Sequence, residues 1–263
     1  MKKIGVLVLC LIAGLFAQQL VLQGSTTVLP IAQSAAEAYM EKDPNVDIMV
    51  RGGGSGTGIA ALIDRSTDIA NSSRPIKTKE IKQAREKGVN PVGTVIAFDG
   101  MAVIVHPDNP INEISIEELK NIYTGTTTNW NKFGGKGTIV IMSRDVASGT
   151  IEVFNEKILK GAKLTDGAIM LASNLEVLRA VEQTPGAIGY VGLGYLSNKV
   201  KALSVNGIFP SEATVRNGSY PIARPLFMYT NGNPAGLSEQ FIQFILSKEG
   251  QNIVRNNGFV PVK

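Results

Sequence analysis

Only one cysteine, one histidine and one tryptophan occur among the 263 residues. The cysteine, Cys10, stands inside the apolar run at the N-terminus. A chain processed behind that run holds no thiol, which excludes both a disulfide framework and a thiolate metal site. A lone histidine, His106, excludes a histidine-clustered catalytic metal centre, and no metal or cofactor is expected. A Ser-His-Asp hydrolase would have to use this residue. His106-Pro107-Asp108 instead reads as a strand running out into a turn, which suits an exposed loop histidine better than a base. Charge of one sign is also scarce. Lys and Arg total 26 against 22 Asp and Glu, for a net charge of +4, and they are scattered. No basic block tracks a nucleic acid, and none is expected as a partner.

Lys2 and Lys3 precede an uncharged apolar run, Ile4 to Ala17, of about 14 residues. That is short for a membrane span and matches the core of a signal peptide. Residues 1–17 are therefore expected to be a signal peptide cut after Ala17. The mature chain is expected to be periplasmic or otherwise extracytoplasmic. Leu9 ahead of Cys10, and the place of Cys10 within the apolar core, argue against a lipid anchor. About 245 residues remain, 44% of the whole sequence is hydrophobic, and this suffices for two small domains or one large one.

Three stretches share one chemistry: Gly24 to Pro30 (GSTTVLP), Gly52 to Gly58 (GGGSGTG) and Arg144 to Thr150 (RDVASGT). Each sets small hydroxyl residues between a predicted strand and a predicted helix. Hydroxyls and unpaired amides then point the same way, toward an oxyanion. A helix N-terminus carries roughly half a positive charge, and Ser or Thr adds an O–H with little bulk. Three such ends converging would hold a group the size of phosphate or sulfate.

The spacing of apolar residues predicts a strand at Leu20 to Leu22, a helix over Leu29 to Met40 ended by Asp43-Pro44, a strand at Val46 to Val50 and a helix from Ile59 to Ile63. This is strand, loop, helix, twice over, and it predicts an α/β fold whose strand ends open on a ligand crevice. Val92 to Val105 reads as a strand broken at Asp99-Gly100, where an extended segment could cross between lobes. Ser115-Ile116-Glu117-Glu118 is a capping box. Further on, strands are predicted at Thr138 to Met142 and Ala187 to Val191, the latter as a second crossing segment. Helices are predicted at Ile151 to Leu159, Leu175 to Glu182 and Ser238 to Asn256. The lobes so drawn are 18–98 with 196–263, and 99–195.

The glycine loop is not a nucleotide P-loop, since no Lys-Ser or Lys-Thr follows it, and it lacks dinucleotide spacing. Thr57 stands where a nucleophile elbow needs glycine. A flexible turn would explain one such loop; three at strand-to-helix junctions favour a binding role. Arg144 lies four residues before Ser148 and could meet the same anion with two N–H groups. The plainer alternative for Arg144 is a surface salt bridge, with Asp145 as its neighbour. Trp130, in the loop 126–131, suits core or lobe packing.

In these residues the chain resembles the periplasmic phosphate-binding proteins that feed the high-affinity phosphate ABC importer. The resemblance covers nearly all of the mature chain. Beyond the three loops it rests on Asp68 to Pro75, Phe98-Asp99-Gly100, Tyr123 to Trp130, Gly186 to Tyr190 and Arg224-Pro225-Leu226. It implies a two-lobe type II periplasmic binding protein fold with two crossing segments, closing on phosphate. Carried over position by position, the anion contacts fall on Thr27, the Val28 amide, Ser55, Ser73, Arg144, Ser148, Gly149 and Thr150, with Thr26 and Thr57 adjacent. Some members of that family place aspartates in the pocket, where a carboxylate can accept the proton that hydrogen phosphate has and sulfate lacks. This chain has Ser73 and Val146 at those positions. Ser73, or Asp145 one residue displaced, is then the candidate proton acceptor.

The resulting expectation is a non-enzymatic, exported, monomeric receptor that delivers inorganic phosphate to the membrane permease of an ABC importer. The rival readings are a receptor for sulfate, molybdate or tungstate, and a secreted phosphatase-like hydrolase using Ser55 or Ser148.

Overall fold

The computed structural model describes residues 18–263. The expected signal segment and Cys10 lie outside the described residues. The fold begins with β1 (Gln18–Gly24), α1 (Leu29–Lys42), β2 (Val46–Arg51), α2 (Ser55–Ile63), β3 (Ile69–Ser72) and α3 (Thr78–Glu86). β1 pairs in parallel with both β2 and β3. This is the strand, loop, helix alternation that the sequence predicts, and it sets the first two hydroxyl loops side by side at the C-terminal ends of neighbouring strands.

β4 (Pro91–Val105) is one continuous strand and not a pair broken at Asp99-Gly100. Gly100 answers to packing: a Cβ there would lie 2.7 Å from Val215 Cγ2. After it come β5 (Glu113–Ile114), α4 (Ile116–Tyr123), β6 (Val140–Arg144), α5 (Gly149–Phe154), β7 (Ile169–Leu171), α6 (Asn174–Gln183), β8 (Ala187–Gly192), β9 (Lys201–Ala202), β10 (Ser204–Val205), α7 (Glu212–Arg216), β11 (Ala223–Asn231), α8 (Gly236–Leu246) and α9 (Lys248–Asn256). The capping box at Ser115 forms: Ser115 Oγ accepts from Glu118 N, and Glu118 accepts from Ser115 N. α5 begins at Gly149, two residues before the predicted start, and a wider π-type turn carries it on over 155–159.

One sheet runs in the order β2-β1-β3-β11-β4-β8-β6-β7, with β9 also on β4. β11 lies antiparallel to residues 91–100 of β4, while β8 and β9 pair with residues 101–105. A single long strand thus joins two half-sheets. Leu22, Ile31, Ile69, Met228, Phe241 and Val254 pack within one core, and Val103, Tyr123, Phe154 and Tyr190 within another.

Three expectations need correction. β8 does not cross between the halves, because it pairs only with β4, beyond Gly100, and with β6. The second passage falls instead at Ile222 to Arg224, opposite Gly100 and Asp99. Val200, Leu203, Val205, Val215, Tyr220 and Ile222 pack in the cores of the second half, so a boundary at 195/196 does not match the packing. Finally, the helix predicted over 238–256 is two helices, α8 and α9. Ser247 between them is extended (φ −68°, ψ 168°), and its Oγ caps α9 by accepting from Gly250 N at 3.2 Å.

Candidate functional site

The three hydroxyl loops meet at the junction of the two halves. Gly56 N, at the start of α2, donates to Ala147 O in the 144–150 loop at 2.9 Å. A Cβ on Gly54, where φ is 95°, would stand 2.6 Å from the same oxygen, so only glycine allows this approach. Gly149, the first residue of α5, sits against the first half in the same way: a Cβ there would collide with Ser55 Oγ and lie 2.9 Å from Ser73 Oγ. Ser55 Oγ accepts from Ser73 N at 3.0 Å and lies 3.3 Å from Ser73 Oγ. On the other side, Thr27 Oγ1 is 3.2 Å from Thr150 Oγ1. Ser148 caps α5 by accepting from Thr150 N at 3.1 Å. Thr27, Ser55, Ser73, Arg144, Ser148 and Thr150 are all at most 1% exposed, so the cluster is closed over.

Three predicted groups are engaged differently. Ser25 Oγ accepts from Thr27 N at 3.1 Å and approaches Val28 N at 3.4 Å, a long contact that leaves the Val28 amide weakly held. Thr57 turns its hydroxyl back onto Gly53 O at 2.7 Å. Asp145, half-buried, accepts from Ala147 N at 3.1 Å and so shapes its own loop.

Arg144 ends β6 and is buried, with no ion pair among the described residues. Its Nε donates to Leu171 O, and its Nη2 donates to Ala172 O and to Thr26 Oγ1, while Nη1 has no partner among the described residues. The salt bridge to Asp145 does not form. Burial pushes the pKa of Arg144 down, with Asp145 acting against this and Arg224 with it. A guanidinium nevertheless stays charged, so an unpaired buried one calls for an anion.

Sequence reasoning missed three members of this cluster. Arg224 on β11 stands directly across from Asp99 on β4 and pairs with it at 2.8 Å. Arg224 Nη2 also donates to Thr27 Oγ1 at 3.2 Å, and its Nη1, buried, has no partner among the described residues. Burial pushes the Asp99 carboxyl up, while Arg224 and the Leu193 N–H pull it back, leaving it above the usual carboxylate range. Asn174, at the start of α6, donates to both Thr26 Oγ1 and Thr27 Oγ1. Phe98-Asp99-Gly100 and Arg224-Pro225-Leu226 stand out in the sequence, but no local spacing joins positions 125 residues apart.

Two guanidinium groups and one carboxylate leave the cluster one positive charge in excess, with a free buried N–H group on each arginine. It lacks the histidine base of a hydrolase. His106, at the exit of β4, is partly buried rather than exposed, and its Nδ1 accepts from Asp108 N at 3.1 Å. Trp130 is core, with Nε1 donating to Gly186 O.

Residues 16–249 match the family model described as the PBP superfamily domain. The chain is 38% identical over 246 residues to the phosphate-binding protein PstS of Bacillus subtilis, covering 92% of this chain and 80% of that one. With PstS of Borreliella burgdorferi the identity is 34%, over 91% of this chain and 88% of the relative. Among solved structures, a putative phosphate ABC transporter substrate-binding protein with bound phosphate from Clostridium perfringens matches with a TM-score of 0.87 at 34% identity, over 94% of this chain and all of the other. An ABC-type phosphate transport receptor from Vibrio cholerae matches at 27% identity with a TM-score of 0.75, over 92% of this chain and 99% of that one. A fold, a closed cationic site and these relatives agree: the chain belongs to the PstS family of phosphate-binding proteins within the PBP superfamily.

Proposed function

We propose that this protein is an extracytoplasmic receptor that binds one inorganic phosphate at the junction of two lobes, 18–98 with 223–263 and 99–222, and delivers it as a monomer to the permease of an ABC importer. The observation that carries this reading is the pair of buried arginines, Arg144 and Arg224, each with one free Nη1 and only Asp99 to balance them. The contacts to the anion are Thr27, the Val28 amide, Ser55, Ser73, Arg144, Ser148, the Gly149 amide and Thr150, with Thr26 behind them and Arg224 added. Ser73 or Asp145 takes the ligand's proton. Each charge-assisted hydrogen bond is worth about 1.5–3 kcal/mol, so several offset dehydration of the anion and the cost of closing the cleft.

Calorimetric titration with phosphate, sulfate and molybdate tests the reading. Tight one-to-one binding of phosphate, with sulfate and molybdate far weaker, is the expected result. Tighter binding of either rival would reassign the receptor. Incubation with a chromogenic phosphomonoester should release no phosphate, and turnover abolished by Ser55→Ala or Ser148→Ala would make it a hydrolase.

A further inference from the structure

The hydroxyl groups of the site are sorted by donors that cannot do anything but donate. Asn174 Oδ1 accepts from the backbone N–H of Gly192 at 3.1 Å, which fixes the orientation of its amide. The Nδ2 end therefore faces the two threonines, at 3.0 Å from Thr26 Oγ1 and 3.2 Å from Thr27 Oγ1. Each threonine meets a second obligate donor, a guanidinium: Arg144 Nη2 on Thr26 and Arg224 Nη2 on Thr27, both at 3.2 Å. A hydroxyl has two lone pairs and one hydrogen. With both lone pairs occupied, Thr26 and Thr27 can only donate. Thr27 has Thr150 Oγ1 within reach at 3.2 Å, so its hydrogen goes to Thr150 or to a ligand, and Thr150 cannot donate back to Thr27.

The opposite end of the site is not sorted this way. Ser55 Oγ accepts one backbone N–H, from Ser73, and the two serine hydroxyls lie 3.3 Å apart with either able to donate. A lone pair remains there for a proton carried by the ligand. Asp99, the one carboxylate in the buried cluster, already has Oδ1 on Leu193 N and Oδ2 on Arg224.

We infer that Asn174 is a positioning residue: it holds Thr26 and Thr27 as donors, so that these two hydroxyls offer the ligand no acceptor and the single proton of a tetrahedral oxyanion falls to the serines. The inference rests on the phosphate reading above and adds to it a side chain that need not touch the ligand. Asn174→Asp keeps the shape and reverses the polarity. A carboxylate there draws a threonine O–H toward itself and turns that threonine's lone pair toward the ligand, making a second acceptor.

The test is titration of wild type and Asn174→Asp with phosphate at pH 5.5 and pH 8.5, with sulfate and perchlorate alongside. Sulfate and perchlorate, tetrahedral anions with no proton at either pH, report the added negative charge on a dianion and on a monoanion. Corrected by these two controls, the variant's phosphate affinity at pH 5.5 over that at pH 8.5 should rise about tenfold or more above the wild-type ratio, the size of one hydrogen bond to a charged group. An unchanged ratio with uniformly weaker binding would reduce Asn174 to a packing role and overturn the inference. Should Asn174→Asp not fold, Thr27→Val reads the same polarity. A donor-only hydroxyl senses no ligand proton, so phosphate and sulfate affinities should fall by the same factor. A loss confined to phosphate would overturn the inference. Wild type that binds sulfate but not phosphate would overturn the phosphate reading and leave the donor assignment to the sulfate arm, whereas wild type that binds neither overturns both.

Discussion

Arg74 Nε, just beyond β3 in the first half, lies 2.7 Å from Glu152 Oε2 on α5 in the second. Lys77 Nζ reaches the same oxygen at 2.7 Å, while Glu80 holds the far side of the Arg74 guanidinium through two bonds of 2.7 and 2.8 Å. Glu152 is the one member of this group from the second half, so the contact exists only while the halves are together. Because Glu152 and Lys77 are partly exposed, the contribution is of the order of 1 kcal/mol or less and screened by salt. Glu152→Gln should therefore speed phosphate dissociation by about three- to fivefold and leave association unchanged. Stopped-flow release at low and high ionic strength would show the effect shrinking with salt.

The same group sets an acid limit on stability. Burial opposes ionisation of Glu80, but the hydrogen bonds from Arg74 and from the Lys77 backbone outweigh it, and its pKa lies below the ordinary value. A carboxyl whose folded pKa is below its unfolded value of about 4.3 adds stability above that pH and loses it as pH falls through the folded value. Glu80→Gln should lower stability at pH 7 and change it little near pH 3. Denaturant unfolding at the two pH values measures this, and an equal loss at both would deny the ionic origin.

Gly149→Ala separates binding from folding. Alanine is favourable in a helix, so α5 itself should tolerate it. The added methyl would meet Ser55 Oγ and Ser73 Oγ where the halves touch. Phosphate affinity should fall by about a hundredfold or more, the cost of forcing atoms into a packed contact, with the unliganded melting temperature near wild type. A variant that binds normally would place the contact outside the binding event.

Arg144→Ala should weaken phosphate binding by about 2–5 kcal/mol, the usual penalty for truncating one partner of a buried charged contact. Arg144→Lys should recover little of it, since one ammonium cannot serve Leu171 O, Ala172 O, Thr26 Oγ1 and a ligand at once. Binding by Arg144→Ala within twofold of wild type, measured by calorimetry, would remove Arg144 from the site.

Ser73→Ala and Asp145→Asn decide the proton acceptor. Ser73→Ala should erode the preference for phosphate over sulfate, because sulfate has no proton to give. Asp145→Asn should leave the preference within about twofold, since its Oδ1 already holds the Ala147 N–H within the loop. Paired titrations with the two anions measure both, and the reverse outcome would make Asp145 the acceptor.

The features legible in the residue order are those that short-range physics can carry. Glycines and hydroxyls at strand ends, followed by apolar helical spacing, marked the three loops, and the Ser115 capping box and Arg144 at the end of β6 were legible for the same reason. Their physics acts within a few residues. The break between α8 and α9 was local too, yet periodicity ran straight through it, because only the Ser247 conformation and the approach of Gly250 to Phe244 O interrupt the helix. Which charges gather at the junction of the halves follows from long-range packing. Arg224 meets Asp99 through the antiparallel register of β11 on β4, and Asn174 meets Thr26 from 148 residues away because α6 begins beside the end of β1. A β register and a helix position are set by the packing of whole half-sheets, so the second arginine, its carboxylate and the amide that orients the threonines became neighbours only in the folded chain.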